Sequence, residues 1–184
     1  MKTLRENAIR KLAADLPFAD IGVFSPALLH ARQEIRDLCD PAVCPNYGTN
    51  WLCPPGAPEL SVCENILHGY ETAVCLLTKK EPIPPTFTKE DYEQAALAHN
   101  RNLYELSARF ASCGYSSLIL TTGSCEKCAV CAYPSPCRFP DRCRESFCGF
   151  GLNAEEVCSL FPCDYAFVPG KLIYVGLILI RKNP

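Results

Sequence analysis

The hydrophobic pattern of the chain alternates between helical spacing and short apolar runs. Apolar residues recur at steps of three and four, as on the packed face of a helix, in residues 6–16, 58–69 and 88–113. Nearly continuous apolar runs, which are typical of buried strands, occupy residues 72–78, 116–122 and 171–181. A shorter apolar stretch precedes them at residues 18–24 and is compatible with an extended segment. The pattern predicts a small sheet with flanking helices.

Capping residues indicate where three of the predicted helices begin. Ser25 precedes a proline and predicts a helix over residues 26–38, which would deliver a cysteine at its end. Thr88 is the predicted N-cap of the longest helix. Asn153 is the predicted N-cap of a short helix over residues 154–161.

The order strand, long helix, strand predicts a parallel βαβ unit with a right-handed crossover between residues 72–78 and 116–122. The third strand, residues 171–181, is apolar enough to be central. We therefore predict an α/β or α+β fold with a small mixed sheet, in a single domain that spans residues 1–184. The segment after residue 122 would then lie at the carboxyl end of a parallel strand, where open α/β sheets bind their ligands.

Cysteine is the anomaly of the composition. The chain has 14 cysteines in 184 residues, whereas its 48% hydrophobic and 21% charged residues are ordinary for a globular protein. A net charge of −2 gives no argument for nucleic acid or for a membrane surface as a partner. The cysteines concentrate in two proline-rich loops, an early loop at about residues 39–56 and a late loop at residues 123–151.

We expect these cysteines to bind metal rather than to form disulfides with each other. The segment 1–16 is charged and amphipathic and lacks the apolar core of a signal peptide. The longest apolar run, residues 172–180, is too short to cross a bilayer as a helix. We therefore expect a cytoplasmic, reducing location, where clustered cysteines more often bind metal than pair.

The late loop contains the series Cys125-x-x-Cys128-x-x-Cys131, followed by Cys137. Each two-residue gap lets the backbone turn and present the next sulfur, so that the thiols can surround one small centre. Four cysteine thiolates are the ligands of a [4Fe–4S] cluster. Zinc sites usually pair two cysteine knuckles and seldom use three cysteines in series, so zinc is the alternative cofactor.

The early loop supplies Cys39, Cys44 and Cys53, and two arrangements follow. In the first, each loop holds its own cluster, and the three thiolates of the early loop leave one iron open as a Lewis acid for substrate. In the second, the two loops exchange a ligand, as the two-cluster ferredoxins do. The protein would then bind one or two [4Fe–4S] clusters.

Several further residues remain open candidates. Cys143 and Cys148 lie close enough to the late series for either to be a ligand, and Cys163 is compatible with either role. Arg138 follows Cys137 and would either offset the charge of a cluster, or hold an anionic substrate, or be a surface arginine on a turn. The other cysteines, and one histidine of the long helix, are predicted to be structural: Cys63, Cys75, Cys113, Cys158 and His99.

The segment GSCEKCAVCAYPSPCRFP, together with CPNYGTNWLCPP, resembles an uncharacterised family of predicted metal-binding proteins found largely in anaerobic bacteria and archaea. The resemblance extends from Cys39 to the last strand, and it implies a metal cofactor but no established reaction. The chain departs from the family pattern at two acids, because Cys148 stands where glutamate is usual and Asn153 where aspartate is usual. Cys148 is thus a candidate for the missing thiolate of the early site.

The functional hypothesis is an iron–sulfur protein that acts in electron transfer or redox chemistry in an anaerobe. Its expected partner is a redox protein or a small-molecule substrate, with no nucleic acid and no membrane. An enzyme that binds substrate at an open iron is the second hypothesis, and a structural zinc module is the third.

Overall fold

The structure is a computed structural model, and it describes residues 4–123, 125, 127–140, 145–166 and 168–183. Within these residues the strands form one sheet in the order β1–β2–β5–β3–β4. The strands are β1 (Asp20–Phe24), β2 (Thr72–Lys80), β3 (Tyr115–Thr121), β4 (Glu145–Ser146) and β5 (Leu172–Lys182). The helices are α1 (Glu6–Leu12), α2 (Gln33–Asp37), α3 (Leu60–His68), α4 (Lys89–Ser112) and α5 (Ala154–Ser159).

Both faces of the sheet are covered, which explains why its central strands are almost continuously apolar. Alternate side chains of a strand point to opposite faces. Accordingly Cys75 and Leu77 pack in one apolar cluster with residues of α3 and α5, whereas Val74 and Leu76 pack in the other with α1 and α4. Gly176 of β5 permits close approach of α4, since a Cβ at that position would lie 2.4 Å from Leu103 Cδ1.

The predicted α/β or α+β class is confirmed, but the predicted parallel βαβ unit is wrong. Strands β2 and β3 do not pair with each other, because β5 lies between them and is antiparallel to both. The carboxyl-terminal strand is therefore central, as predicted, and its insertion makes this part of the sheet antiparallel. The one parallel pair joins β3 to the two-residue β4.

The predicted helix over residues 26–38 is divided in two. Ser25 caps a single 3-10 turn at Pro26–Leu28, where its side chain accepts a hydrogen bond from the Ala27 N–H, and α2 follows as a separate helix. The chain between them pairs with the late loop, because the Arg32 N–H donates to the Gly151 carbonyl at 2.8 Å. This contact with a distant segment interrupts the helix.

The long helix α4 follows its prediction closely. Thr88 and Asp91 form a capping box, in which each side chain accepts a hydrogen bond from the backbone N–H of the other. His99 is a buried core residue, with its Nδ1 2.8 Å from Thr78 Oγ1. Burial lowers the pKa of His99 to about 4. No helix in the described residues is long and apolar enough to cross a membrane.

Candidate metal centres

Four cysteine side chains line one cavity of about 260 Å³ between the early loop and the tail of the late loop. We call this cavity site I, and its thiols belong to Cys39, Cys44, Cys53 and Cys148. Three of them come from the early loop, as the sequence suggested, and the fourth comes from far along the chain. Site I is therefore assembled from separate segments.

The first two thiols of site I follow the end of α2. The Cys39 N–H donates to the Arg36 carbonyl at 3.0 Å, so the cysteine continues the last turn of the helix. Asp40 then folds the chain back, because its carboxylate accepts from the Ala42 N–H at 2.7 Å and its carbonyl accepts from the Cys44 N–H at 2.8 Å. This local turn brings Cys44 to the same cavity as Cys39.

Cys53 is the buried thiol of site I, and a buried asparagine fixes the turn before it. The Asn50 side chain accepts from the Leu52 N–H at 2.9 Å and donates to the Asn46 carbonyl at 3.3 Å. The Cys53 carbonyl in turn accepts from the N–H groups of Gly56 and Ala57. These hydrogen bonds hold the sulfur against the cavity without help from regular secondary structure.

Cys148 reaches site I because the late loop returns to the sheet. Strand β4 pairs with the end of β3, and the Phe147 N–H donates to the Thr121 carbonyl at 3.2 Å. The next residue is Cys148, and Gly149 then packs directly on the early loop. A Cβ at Gly149 would lie 2.2 Å from the Leu52 carbonyl oxygen, so glycine is required for this approach.

Arg36 joins the parts that surround site I. Its guanidinium donates to the carbonyl of Gly149, to the carbonyl of Pro58 at 2.7 Å and to the Cys63 sulfur at 3.4 Å. It also lies close enough to Cys39 for its positive charge to favour the thiolate there. Arg36 therefore supports the cavity from the side of α2, a role that the sequence analysis missed because one arginine in a short polar helix carries no distinguishing pattern.

The thiols of site I disfavour each other's ionisation. Desolvation of the sulfur raises the pKa of Cys39, Cys53 and Cys148, although the Cys148 residue as a whole is exposed at the surface. Negative charge on neighbouring cysteines of the site raises the pKa of each of them further. A bound cation would remove this penalty, which is the usual coupling between thiolate ligation and proton release.

A second cavity, site II, lies within the late loop and is lined by Cys125, Cys128, Cys131 and Cys137. Its volume is about 20 Å³, so the four thiols enclose it more tightly than those of site I. The predicted cysteine series is thus brought together in space by one contiguous segment.

Site II is tied to the early loop by one aromatic side chain. The Trp51 indole N–H donates to the Ser135 carbonyl at 3.0 Å, and the indole contacts the Tyr133 ring edge to face at a centroid distance of 5.0 Å. Trp51 and Leu52 line site II, whereas the next residue, Cys53, lines site I. The two cavities are therefore separated by a single short stretch of the early loop.

Arg138 lines site II as well, and its guanidinium donates to the Val130 carbonyl at 3.0 Å. This hydrogen bond joins the residue after Cys137 to the residue before Cys131, and the Arg138 side chain is also exposed. The three predicted roles for Arg138, which are charge compensation, binding of an anionic substrate and a surface position on a turn, stay predictions with this geometry.

The structure thus brings the eight cysteines that sequence analysis named into two groups of four, and their ligation of metal remains a prediction. Cys143 lies outside the described residues. Cys63 and Cys75 are buried and Cys113 is exposed, and none of them lines either cavity. As the described side chains stand, no group of three or more histidine, cysteine or acidic residues is arranged to hold a metal ion.

Comparison with protein families gives one match. Residues 23–180 match the model of a family described as "Predicted metal-binding protein (DUF2284)". The matched range contains both cavities and the fold from the end of β1 to residue 180 of β5. No curated protein and no solved structure matches the chain.

Proposed function

Since the chain belongs to the family of predicted metal-binding proteins, we propose that it is an iron–sulfur protein with one [4Fe–4S] cluster in site I and one in site II. The observation that carries this proposal is the grouping of eight cysteines into two cavities with four thiols each and no thiol in common. Four cysteine thiolates are the complete ligand set of such a cluster.

The size of site I favours a cluster over a single zinc ion. Four thiolates bind zinc at about 2.3 Å, which leaves no space between the sulfurs. The cavity of about 260 Å³ in site I has room for a larger centre. The cavity of about 20 Å³ in site II gives no such argument, and the proposal for site II rests on the cysteine series, which is typical of cluster loops.

The proposed role is electron transfer or redox chemistry in the cytoplasm, with a redox protein or a small molecule as partner. Iron–sulfur clusters supply one-electron transfer, and their potential depends on charge and hydrogen bonds near the sulfurs. Here Arg36 lies beside site I and Arg138 beside site II, so each proposed centre has a cation close to its thiolates. The close neighbourhood of the cavities suits passage of electrons from one to the other.

Spectroscopy of protein purified without oxygen tests this proposal. We expect a brown protein whose broad visible absorption bleaches with dithionite and whose reduced form gives a paramagnetic resonance signal. Iron and sulfide should be present in equal amounts. A colourless protein that carries stoichiometric zinc and no sulfide would overturn the proposal.

An enzyme that binds substrate at site I is the alternative, and the exposure of Cys148 is the observation that favours it. A substrate could reach the metal at this position if Cys148 were not a ligand. The variant Cys148→Ala separates the two accounts. Loss of the site I cluster is expected if Cys148 is its fourth ligand, whereas an intact cluster with a spectrum that small anions perturb would support the enzyme.

A further inference from the structure

A third group of thiols lies outside both cavities. Cys75 of β2, Cys158 of α5 and Cys163 pack together between the sheet and the segment that follows α5. Cys75 is fully buried, Cys158 is 3% exposed and Cys163 is partly exposed. The Cys163 sulfur donates to the Cys158 carbonyl at 3.3 Å, so the two residues are held side by side.

An aromatic residue between the two outer cysteines anchors their loop. Phe161 stacks on Phe24 of β1 at a centroid distance of 6.2 Å. Its ring also covers Gly22, where a Cβ would come within 2.3 Å of it. The loop is therefore fixed on the sheet through close contacts, and Cys163 returns to Cys158 instead of extending into solvent.

Two residues of the group, Cys158 and Cys163, border a depression in the surface. An open depression of about 320 Å³ is lined by both Cys158 and Cys163, together with Phe161, Tyr165 and other residues of this segment. Cys75 is absent from its lining and lies beneath Cys158. The arrangement is thus a partly exposed Cys163 beside a nearly covered Cys158 in the wall of the depression, with the fully buried Cys75 in contact with Cys158.

The charge distribution distinguishes the members of this group. The hydrogen bond from the Cys75 thiol lowers the pKa of Cys158, burial acts against it, and the hydrogen bond from the Cys163 thiol lowers the pKa further. Asp20 raises the pKa of Cys158 and Lys79 lowers it, so that the net direction is downward. Burial, followed by the charge on Cys158, raises the pKa of Cys163 to about 11. Of the two residues that line the depression, Cys158 is therefore the one whose thiolate form is favoured.

From this geometry we propose that Cys158 and Cys163 form a redox-active dithiol that exchanges with low-molecular-weight disulfides, independently of site I and site II. The Cys158 thiolate attacks one sulfur of the small disulfide, which forms a mixed disulfide and releases one small thiolate. Cys163 then gives its proton to the small thiolate released in the first step and attacks the Cys158 sulfur, which closes the protein disulfide and releases the second small thiolate. In total, two protein thiols are oxidised and one small disulfide is reduced to two thiols.

Disulfide mapping of the metal-loaded protein tests this inference. Protein made without oxygen is incubated with glutathione disulfide, the remaining thiols are blocked, and the peptides are identified by mass spectrometry. We expect a peptide pair linked through Cys158 and Cys163, with no glutathione retained. The variant Cys163→Ser cannot close the bond, so glutathione should accumulate on Cys158.

Cys113→Ser is the matched control, because Cys113 is an exposed cysteine outside the group, and its loss should leave the linked pair unchanged. The inference is overturned if Cys158 and Cys163 stay reduced, if Cys158 links to Cys75, or if Cys163→Ser takes up glutathione at Cys158 no faster than the native protein does at Cys113. Because the readout is a disulfide, failure of the cluster proposal would leave this result interpretable.

Discussion

Site I and site II hold the same number of thiols but are built in opposite ways. The thiols of site II come from one segment of 13 residues, 125–137, and the Trp51 side chain joins that segment to the early loop through a hydrogen bond. Site I joins the end of α2, the early loop and the tail of the late loop, so its thiols are separated by much of the chain. A metal bound in site I would thus crosslink the fold, whereas one bound in site II would shape a loop.

Removal of one cysteine from each site should show this contrast as a difference in the free energy of unfolding. A crosslink across about 95 residues, as between Cys53 and Cys148, contributes about 5 kcal/mol by loop-closure entropy, against about 3 kcal/mol for a loop of about 12 residues. We therefore expect Cys53→Ser to lower the free energy of unfolding by about 2 kcal/mol more than Cys137→Ser does. Anaerobic denaturant titration measures both, with Cys113→Ser as the control. Equal losses would show that site I does not crosslink the fold.

His99, a buried residue that lines neither site, allows the stability of the fold to be tested apart from metal binding. The pKa of His99 is about 4 in the folded protein, against about 6.5 when unfolded, so between these values the unfolded state binds the additional proton. Stability should therefore decline as pH falls from about 6.5 to about 4, by about 3 kcal/mol in total.

In denaturant titrations of the metal-free protein, the free energy of unfolding of His99→Gln should change less with pH over this range than that of the native protein. Metal content at neutral pH should not change, which separates scaffold stability from metal binding. A native pH profile in the variant would contradict the assignment to His99.

Site I can also be strained without removal of any thiol. The change Gly149→Ala places a methyl group against the Leu52 carbonyl oxygen, which lies 2.2 Å from the ideal Cβ position, and so forces the late loop away from the early loop. We expect a loss of about 2 kcal/mol of stability and weaker metal binding at site I alone.

Metal content and denaturant titration check the Gly149→Ala variant, with Gly69→Ala as the control. Gly69 ends α3, has an ordinary right-handed conformation and has its closest contact at 3.3 Å. Unchanged metal content in Gly149→Ala would show that this approach does not shape site I.

The smallest effect on stability is expected from loss of the Trp51 hydrogen bond that joins site II to the early loop. Trp51→Phe removes the indole N–H that donates to Ser135 and keeps a ring against Tyr133. The free energy of unfolding should fall by about 1 kcal/mol, which is the usual net contribution of one neutral hydrogen bond. The measurement is denaturant titration, and both sites should keep their metal. Loss of metal from site II would show that the late loop depends on the early loop for its shape.

The contrast between the sites also explains what the sequence could predict. Site II lies in one segment, so spacing alone was enough to group its thiols. The capping box at Thr88 and the central position of the last strand were likewise evident from local chemistry and apolar composition. These features depend on residues that are neighbours in the chain or on the character of a single element.

The features that the sequence left open depend on long-range pairing. Insertion of β5 between β2 and β3 removed the predicted parallel unit, and no local pattern specifies which strand takes that position. Cys148 reaches site I only because β4 pairs with β3 and Gly149 packs on Leu52. The group around Cys158 likewise depends on the packing of Phe161 over β1.

The most direct test of two separate four-thiol centres is the iron content of two variants compared with that of the native protein. All three are made without oxygen, and Cys53→Ser removes a proposed ligand of site I while Cys128→Ser removes a proposed ligand of site II. We predict about eight irons in the native chain and about four in each variant. Complete loss of iron in both variants would show one shared centre, and native iron content in both would show that these thiols are not ligands.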